Sequence, residues 1–122
     1  MPVRALLVDD NAVARMILSQ MMEGLGHEVV AETESLTETI EAYKAHKPNL
    51  VLLDLSLVLD DGLTILKSLR NLDPQATVVI VSGNPQQKMR DDTLAAGARA
   101  FLNKPFNVKE LTAVLASLGP SA

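Results

Sequence analysis

Asn-Leu-Val-Leu-Leu-Asp-Leu at 49–55 sets a single carboxylate, Asp54, into a run of aliphatic residues. Side chains that are apolar at consecutive positions are buried on both faces, the signature of a parallel strand covered by helices. A carboxylate at the end of such a strand costs too much to be incidental unless a cation or hydrogen bonds meet it. The segment therefore predicts both a sheet and a polar site at its rim.

Working outward, similar runs stand at 5–8 (ALLV), 28–31 (EVVA), 76–82 (ATVVIVS) and 99–103 (RAFLN). Amphipathic segments of roughly 10–14 residues separate them. The first carries Met16/Ile17, Met21 and Leu25 as its expected core stripe and stops at Gly24 and Gly26. The second opens on Ser35, with Glu38 three residues on as a capping box, and closes before Pro48. The third follows Asp61-Gly62 and carries Leu63, Leu66 and Leu69. The fourth spans about Pro85 to Ala96 and ends at Gly97, where a left-handed cap is expected. The fifth runs from Val108 to Leu118 with Leu111, Val114, Leu115 and Leu118 inward, and Gly119-Pro120 ends it. The alternation is (βα)5, and right-handed crossovers make it a doubly wound open α/β sheet. One domain over residues 1–119 is expected, with 120–122 as a short tail and no output domain in these residues.

Composition narrows the function. Hydrophobic residues make up 48% of the 122, enough for a packed core, which is aliphatic because Tyr43, Phe101 and Phe106 are the only aromatics. The absence of Cys excludes disulfides, thiolate metal sites and a Cys nucleophile. A net charge of −4 argues against direct nucleic-acid binding by this domain. No apolar stretch approaches the ~20 residues of a membrane span, and the N-terminus is not a signal peptide, so a cytoplasmic protein is expected.

In doubly wound sheets ligands bind outside the carboxyl ends of the strands. Asp9-Asp10, Asp54, Ser82 and Lys104-Pro105 all fall there, on four different strands. Read singly, each has a plain alternative: Asp10 as a helix cap, Ser82 as a turn residue and Lys104 as a solvated surface charge. Read together, three carboxylates, a hydroxyl and an ammonium share one rim. Close carboxylates repel one another unless a cation sits among them. An oxygen-only set favours Mg²⁺, with Mn²⁺ as an alternative. A carboxylate beside Mg²⁺ can attack phosphorus while the metal and the ammonium balance the charge. The chemistry is phosphoryl transfer to Asp.

With these residues in view, the sequence resembles the response-regulator receiver family of two-component signalling (CheY-like domains) over essentially its full length. Four motifs match in order: LLVDD at 6–10 with Arg15 after it, VLLDL at 51–55, VVIVSG at 78–83 and FLNKPF at 101–106. The Asp61-Gly62 turn and AAGA at 95–98 also fit. The resemblance implies a flavodoxin-like five-stranded parallel sheet in the order 2-1-3-4-5. It implies Asp54 as phosphoacceptor, a metal site of Asp9, Asp10, Asp54 and the Ser56 carbonyl, Lys104 on the phosphoryl group, and a cis Lys104–Pro105 bond. Ser82 and Phe101 take the switch positions. Implied partners are a histidine kinase or phosphotransfer protein and a downstream protein, with the domain a monomer or weak homodimer. The resemblance implies a phosphoacceptor signalling domain rather than an enzyme.

Two departures stand out. The loop Ser56-Leu57-Val58-Leu59-Asp60 lacks the Pro common in the family, and its apolar run is a possible contact surface. Phe101 lacks the hydroxyl of a Tyr. Other readings fit less well. A phosphatase of the haloacid-dehalogenase type usually has a second Asp two residues after its nucleophile, where Ser56 stands. A flavodoxin-like cofactor protein needs a phosphate-cradling loop after the first strand, and DDNAVAR offers no Gly-rich turn. A degenerate receiver would lack an acid, the Lys or the acceptor. A final expectation places Met16 beside Pro105-Phe106 as an exposed patch that docks the phosphodonor.

Overall fold

A computed structural model describes residues 3–55, 57, 61–83 and 86–118. Five strands, β1 (Arg4–Val8), β2 (Glu28–Thr33), β3 (Leu50–Asp54), β4 (Val78–Ser82) and β5 (Ala100–Asn103), alternate with five helices. The helices are α1 (Ala12–Gly24), α2 (Leu36–His46), α3 (Gly62–Leu72), α4 (Gln87–Ala95) and α5 (Val108–Ser117). All paired strands are parallel, and their order is β2-β1-β3-β4-β5, as the sequence implied.

Burial follows this order. Every residue of the interior strands β3 and β4 is buried, while the edge strands β2 and β5 are only partly covered. Alternation along the strands divides the core into two layers. One holds Leu6, Val8, Leu53 and Ile80 with Tyr43, Ile65, Leu66 and Leu69 from α2 and α3. The other holds Leu7, Leu52 and Val81 with Leu18, Met22 and Leu111 from α1 and α5.

The helix boundaries match their chemistry. Asn11, Ser35, Asp61 and Asn107 cap four of the five with their side chains. The box expected at α2 is half formed: Ser35 accepts from the Glu38 amide, but Glu38 Oε1 accepts from the amide of Glu34, one residue earlier, at 2.9 Å. A complete box closes instead at α5 between Asn107 and Glu110, which the sequence reading passed over. Gly97 has φ +104°, as expected for the cap after α4. Pro85, the expected start of that helix, lies outside the described residues.

One expectation is corrected. The inward residues of α1 are Leu18 and Met22, whereas Met16 and Ile17 are exposed, Ile17 to 47%. Apolar residues at 13, 16, 17, 18, 21, 22 and 25 cover so wide an arc that periodicity alone does not set the rotation. Arg15 does. Its guanidinium donates to the Asp9 carbonyl and to Glu32 and Glu34, and Leu18 and Met22 follow it at i+3 and i+7 on the same face.

Tyr43 ties α2 to the end of α3 by donating its hydroxyl to Asp73 Oδ2 at 2.8 Å. Burial first, and the Asp73 carboxylate next, push the Tyr43 pKa far up, while the Gln75 amide and then Tyr43 hold Asp73 low. The depressed carboxyl contributes stability above its unfolded value near 4, lost as pH falls through the folded value. The raised phenol contributes below its unfolded value near 10, lost as pH rises through the folded one. Tyr43→Phe should therefore cost about 1 kcal/mol, or ~3–5 °C in Tm, across pH 5–9. Thermal melts should show the gap narrowing toward pH 2; a gap that stays constant there would mean that the ionised carboxylate is not what Tyr43 serves.

Candidate functional site

At the carboxyl end of the sheet, β1 runs into Asp9 and Asp10, β3 ends in Asp54, β4 in Ser82, and β5 leads to Lys104. The register aligns these ends: Val8 pairs with Leu53, Asp54 with Val81, and Ser82 with Asn103. Asp9 is 7% exposed and Asp54 5%. One carboxylate oxygen from each of Asp9, Asp10 and Asp54 lies within 4.8 Å of the others. The structure thus brings these acids together as the sequence reading expected.

Lys104 reaches into this group. Its Nζ donates to Asp54 Oδ2 at 3.2 Å and to Asp9 Oδ2 at 3.3 Å. Its backbone amide donates to the Ser82 carbonyl at 2.8 Å, and its bond to Pro105 is cis, as implied. Burial is the largest single influence on its pKa and lowers it. The Asp54 and Asp9 charges, with the hydrogen bonds to both, together outweigh burial and raise it. The lysine is therefore held as an ammonium. Three carboxylates against one ammonium leave an excess of negative charge in a partly buried pocket, and the cluster is able to bind a metal. Oxygen donors alone suit a hard divalent ion such as Mg²⁺.

Three supporting contacts were not read from sequence as parts of the site. The Asn11 amide donates to Asp9 Oδ1 at 2.9 Å and so orients that carboxylate. Arg15, quoted only as part of a motif, fixes the Asp9 backbone. Gly62 lets α3 begin against the site strand: a Cβ there would lie 2.8 Å from Leu55 Cα and 3.2 Å from the Asp54 carbonyl oxygen. Only Arg15 and the Asp61-Gly62 turn left a trace in the sequence, as a charge within an apolar helix and as a cap–glycine pair. Ser56 and residues 58–60 lie outside the described residues, so the expected carbonyl ligand and most of the apolar loop do too.

The site borders two further features. A cavity of about 420 Å³ opens from Asp9, Asp54 and Lys104 and runs between α1 and the segment after β5, lined by Leu18, Met21, Leu52 and Phe106. On the other side of the sheet, Phe101 packs half-buried against the Tyr43–Ile80 layer, with Arg90 Cζ 4.8 Å from its ring centroid.

A carboxylate triad bridged by an ammonium, at the carboxyl ends of a parallel sheet ordered 2-1-3-4-5, defines a receiver-type signalling module. Residues 5–116 match the response regulator receiver domain family, and the chain belongs to it. It is 42% identical over 103 residues to the chemotaxis protein CheY of Bacillus subtilis, covering 84% of this chain and 86% of that one. It is 34% identical over 112 residues to CheY of Thermotoga maritima, covering 92% and 93%. Its fold superposes with TM-score 0.91 on the CheX–CheY–BeF3–Mg²⁺ complex from Borrelia burgdorferi, at 26% identity, covering 97% of this chain and 90% of that one. The protein is thus a phosphoacceptor signalling module of a two-component system rather than an enzyme, and receiver domains partner with kinases. No helix among the described residues is long and apolar enough to cross a membrane.

Mutual repulsion in the triad predicts that Asp10→Asn raises stability in metal-free buffer, by about 1 kcal/mol for partly solvated charges at this spacing. Mg²⁺ should raise the Tm of the wild-type protein, and the same change should remove that rise. Calorimetry with and without Mg²⁺ checks both, and a variant less stable than wild type in chelator would contradict the repulsion.

Proposed function

We propose that Asp54 accepts a phosphoryl group from a phosphohistidine of a histidine kinase or phosphotransfer protein, in a Mg²⁺-dependent reaction, and that Ser82 and Phe101 convert this into a changed interaction surface. The observation that carries the reading is the Lys104 ammonium bridging Asp9 and Asp54 at 3.3 and 3.2 Å. An ammonium against both carboxylates supports Asp54 as the nucleophile and Asp9 as a metal-binding acid.

Asp9, Asp10 and Asp54 would hold Mg²⁺ (or Mn²⁺), with the Ser56 backbone carbonyl as a further ligand. When bound, the ion neutralises charge on the transferring group. Asp54 supplies the attacking oxygen: its O–P bond forms as the histidine N–P bond breaks, and the leaving imidazole nitrogen keeps the electron pair. Lys104 shifts from the carboxylates to a phosphoryl oxygen, which it balances without a proton transfer. Asp9, oriented by the Asn11 amide, keeps its place as Asp54 changes partners. Ser82 stands one residue beyond Val81, the partner of Asp54 in register, where its hydroxyl would read the new phosphoryl group. Similarity to CheY proteins supports an output by protein contact, in the cytoplasm, from a monomer or weak homodimer with no direct nucleic-acid contact.

Acetyl phosphate with Mg²⁺ should add one phosphoryl mass to the intact protein. Asp54→Asn should abolish the gain, because an amide cannot form the acyl phosphate. A gain that persists in this variant would overturn the assignment.

The donor's carrier must rest on elements that border the rim. The structure revises the expected patch: Ile17, rather than Met16, shares a cavity lining with Pro105 and Phe106, while Val13 and Met16 extend the exposed apolar surface along α1. Ile17→Glu should slow transfer from a protein donor about 5- to 30-fold, the range of a hot-spot loss. Labelling by acetyl phosphate should stay unchanged. If both donors slow alike, or neither does, the donor docks elsewhere.

A further inference from the structure

We propose that Arg90 is a positioning residue for Phe101, and that its guanidinium, laid on the aromatic face, holds the ring in its half-exposed position and so sets how readily the domain switches. This rests on the switch reading of Ser82 and Phe101 given above.

The contact is specific. Arg90 Cζ lies 4.8 Å from the ring centroid, inside the ~6 Å reach of a cation–π interaction. The neighbouring charges of α4 are committed elsewhere: Gln87 Nε2 donates to Asp91 at 2.8 Å and Lys88 Nζ to Asp92 at 3.1 Å. Among the described residues no carboxylate lies within ion-pair distance of Arg90, so the ring is the partner its charge has. The Arg90 carbonyl accepts from Thr93 Oγ1 at 2.9 Å, and Thr93 is fully buried, so the backbone that carries the guanidinium is fixed against the core.

The register sets the neighbours of the ring along the sheet. Phe101 pairs with Ile80 on β4, two residues before Ser82, so Phe101, Ile80 and Ser82 lie on one face of the sheet. A ring that moved toward Ser82 would have to leave its present place over the guanidinium. Arg90 therefore favours one ring position over the other, which is the condition for a residue to bias a two-state equilibrium. A partly exposed cation–π contact shifts such an equilibrium about two- to five-fold, equivalent to about 0.5–1 kcal/mol.

The chain has two phenylalanines, so ring-¹³C-phenylalanine gives two sets of signals, which Phe106→Leu assigns. Spectra of wild type, Arg90→Met and Arg90→Lys would be recorded without ligand and with Mg²⁺ and beryllofluoride. The Phe101 signal of wild type should move on adding beryllofluoride. Without ligand, Arg90→Met should already lie part-way to that position, with a bound-like population raised about two- to five-fold. Arg90→Lys, which keeps a cation, should fall between the two. Arg90→Met at the wild-type position, or Met and Lys variants that coincide, would overturn the role of Arg90 alone. A wild-type ring that ignores beryllofluoride would overturn the switch reading, and this proposal with it.

Discussion

Asp9 and Asp54 are nearly without solvent, each at the end of a strand whose other aliphatic residues are buried completely. Two like charges in that setting are tenable only if something positive is brought to them, since isolated ions in a low-dielectric interior are among the most expensive groups a fold can hold. Lys104 is brought from 95 and 50 residues away. The strand order makes this possible. Placing β1 and β3 side by side at the centre puts the two acids on adjacent strands, and placing β5 beyond β4 lets the segment after it fold back over the rim. The Lys104 amide on the Ser82 carbonyl fixes the root of that segment, so the ammonium is aimed rather than merely nearby. The arrangement still leaves the acids in excess. Folding has thus built a site whose own charges are unbalanced, and that imbalance makes it able to bind a metal.

The two core layers divide the work around this rim. On the α1 and α5 side lie the cavity that opens at Lys104 and the exposed residues of α1. On the α3 and α4 side lie Ile80, Phe101 and Arg90. A strand alternates its side chains between faces, so β4 belongs to both: Val81 packs in one layer and Ile80 in the other. Ser82, which ends β4 at the rim, shares a face with Ile80 and so borders the second layer.

Much of this was legible in the sequence because two strong signals agree. Unbroken apolar runs such as LVLLD and VVIVS name interior parallel strands, and the polar residues that end them name the rim. The rotation of α1 was not legible, because six large apolar residues on a 13-residue helix admit several inward faces and the deciding contact, Arg15 to Asp9, Glu32 and Glu34, is tertiary. The same limit hid the cavity, whose α1 wall is made by Ala14, Arg15, Ile17, Leu18 and Met21. Asn107 and Glu110 show the opposite case, a local cap signal present in the sequence and simply passed over. The Arg90–Phe101 contact joins different elements with no pattern in either, so only the folded chain reveals it.

Differences in anchoring explain why α4 is the element on which such a contact matters. Helix α3 buries Ile65, Leu66 and Leu69 and abuts the site strand at Gly62, where an added methyl has no room. Helix α4 buries only Thr93 among its described residues and leaves Leu94 exposed. Its fixed point is the C-terminal end. There Gly97 adopts φ +104° with Arg70 packed where a Cβ would sit, and the Ala98 amide donates to the Thr93 carbonyl. A helix held at one end and thinly packed along the rest belongs to the low-stability part of a fold, where displacement costs least. In such a helix a contact of modest strength is a large share of what holds the first turns in place. The same cation–π pair on α3 would be lost in the noise of its packing. On α4, where Thr93 alone is buried among the described residues, it is a larger share of the packing.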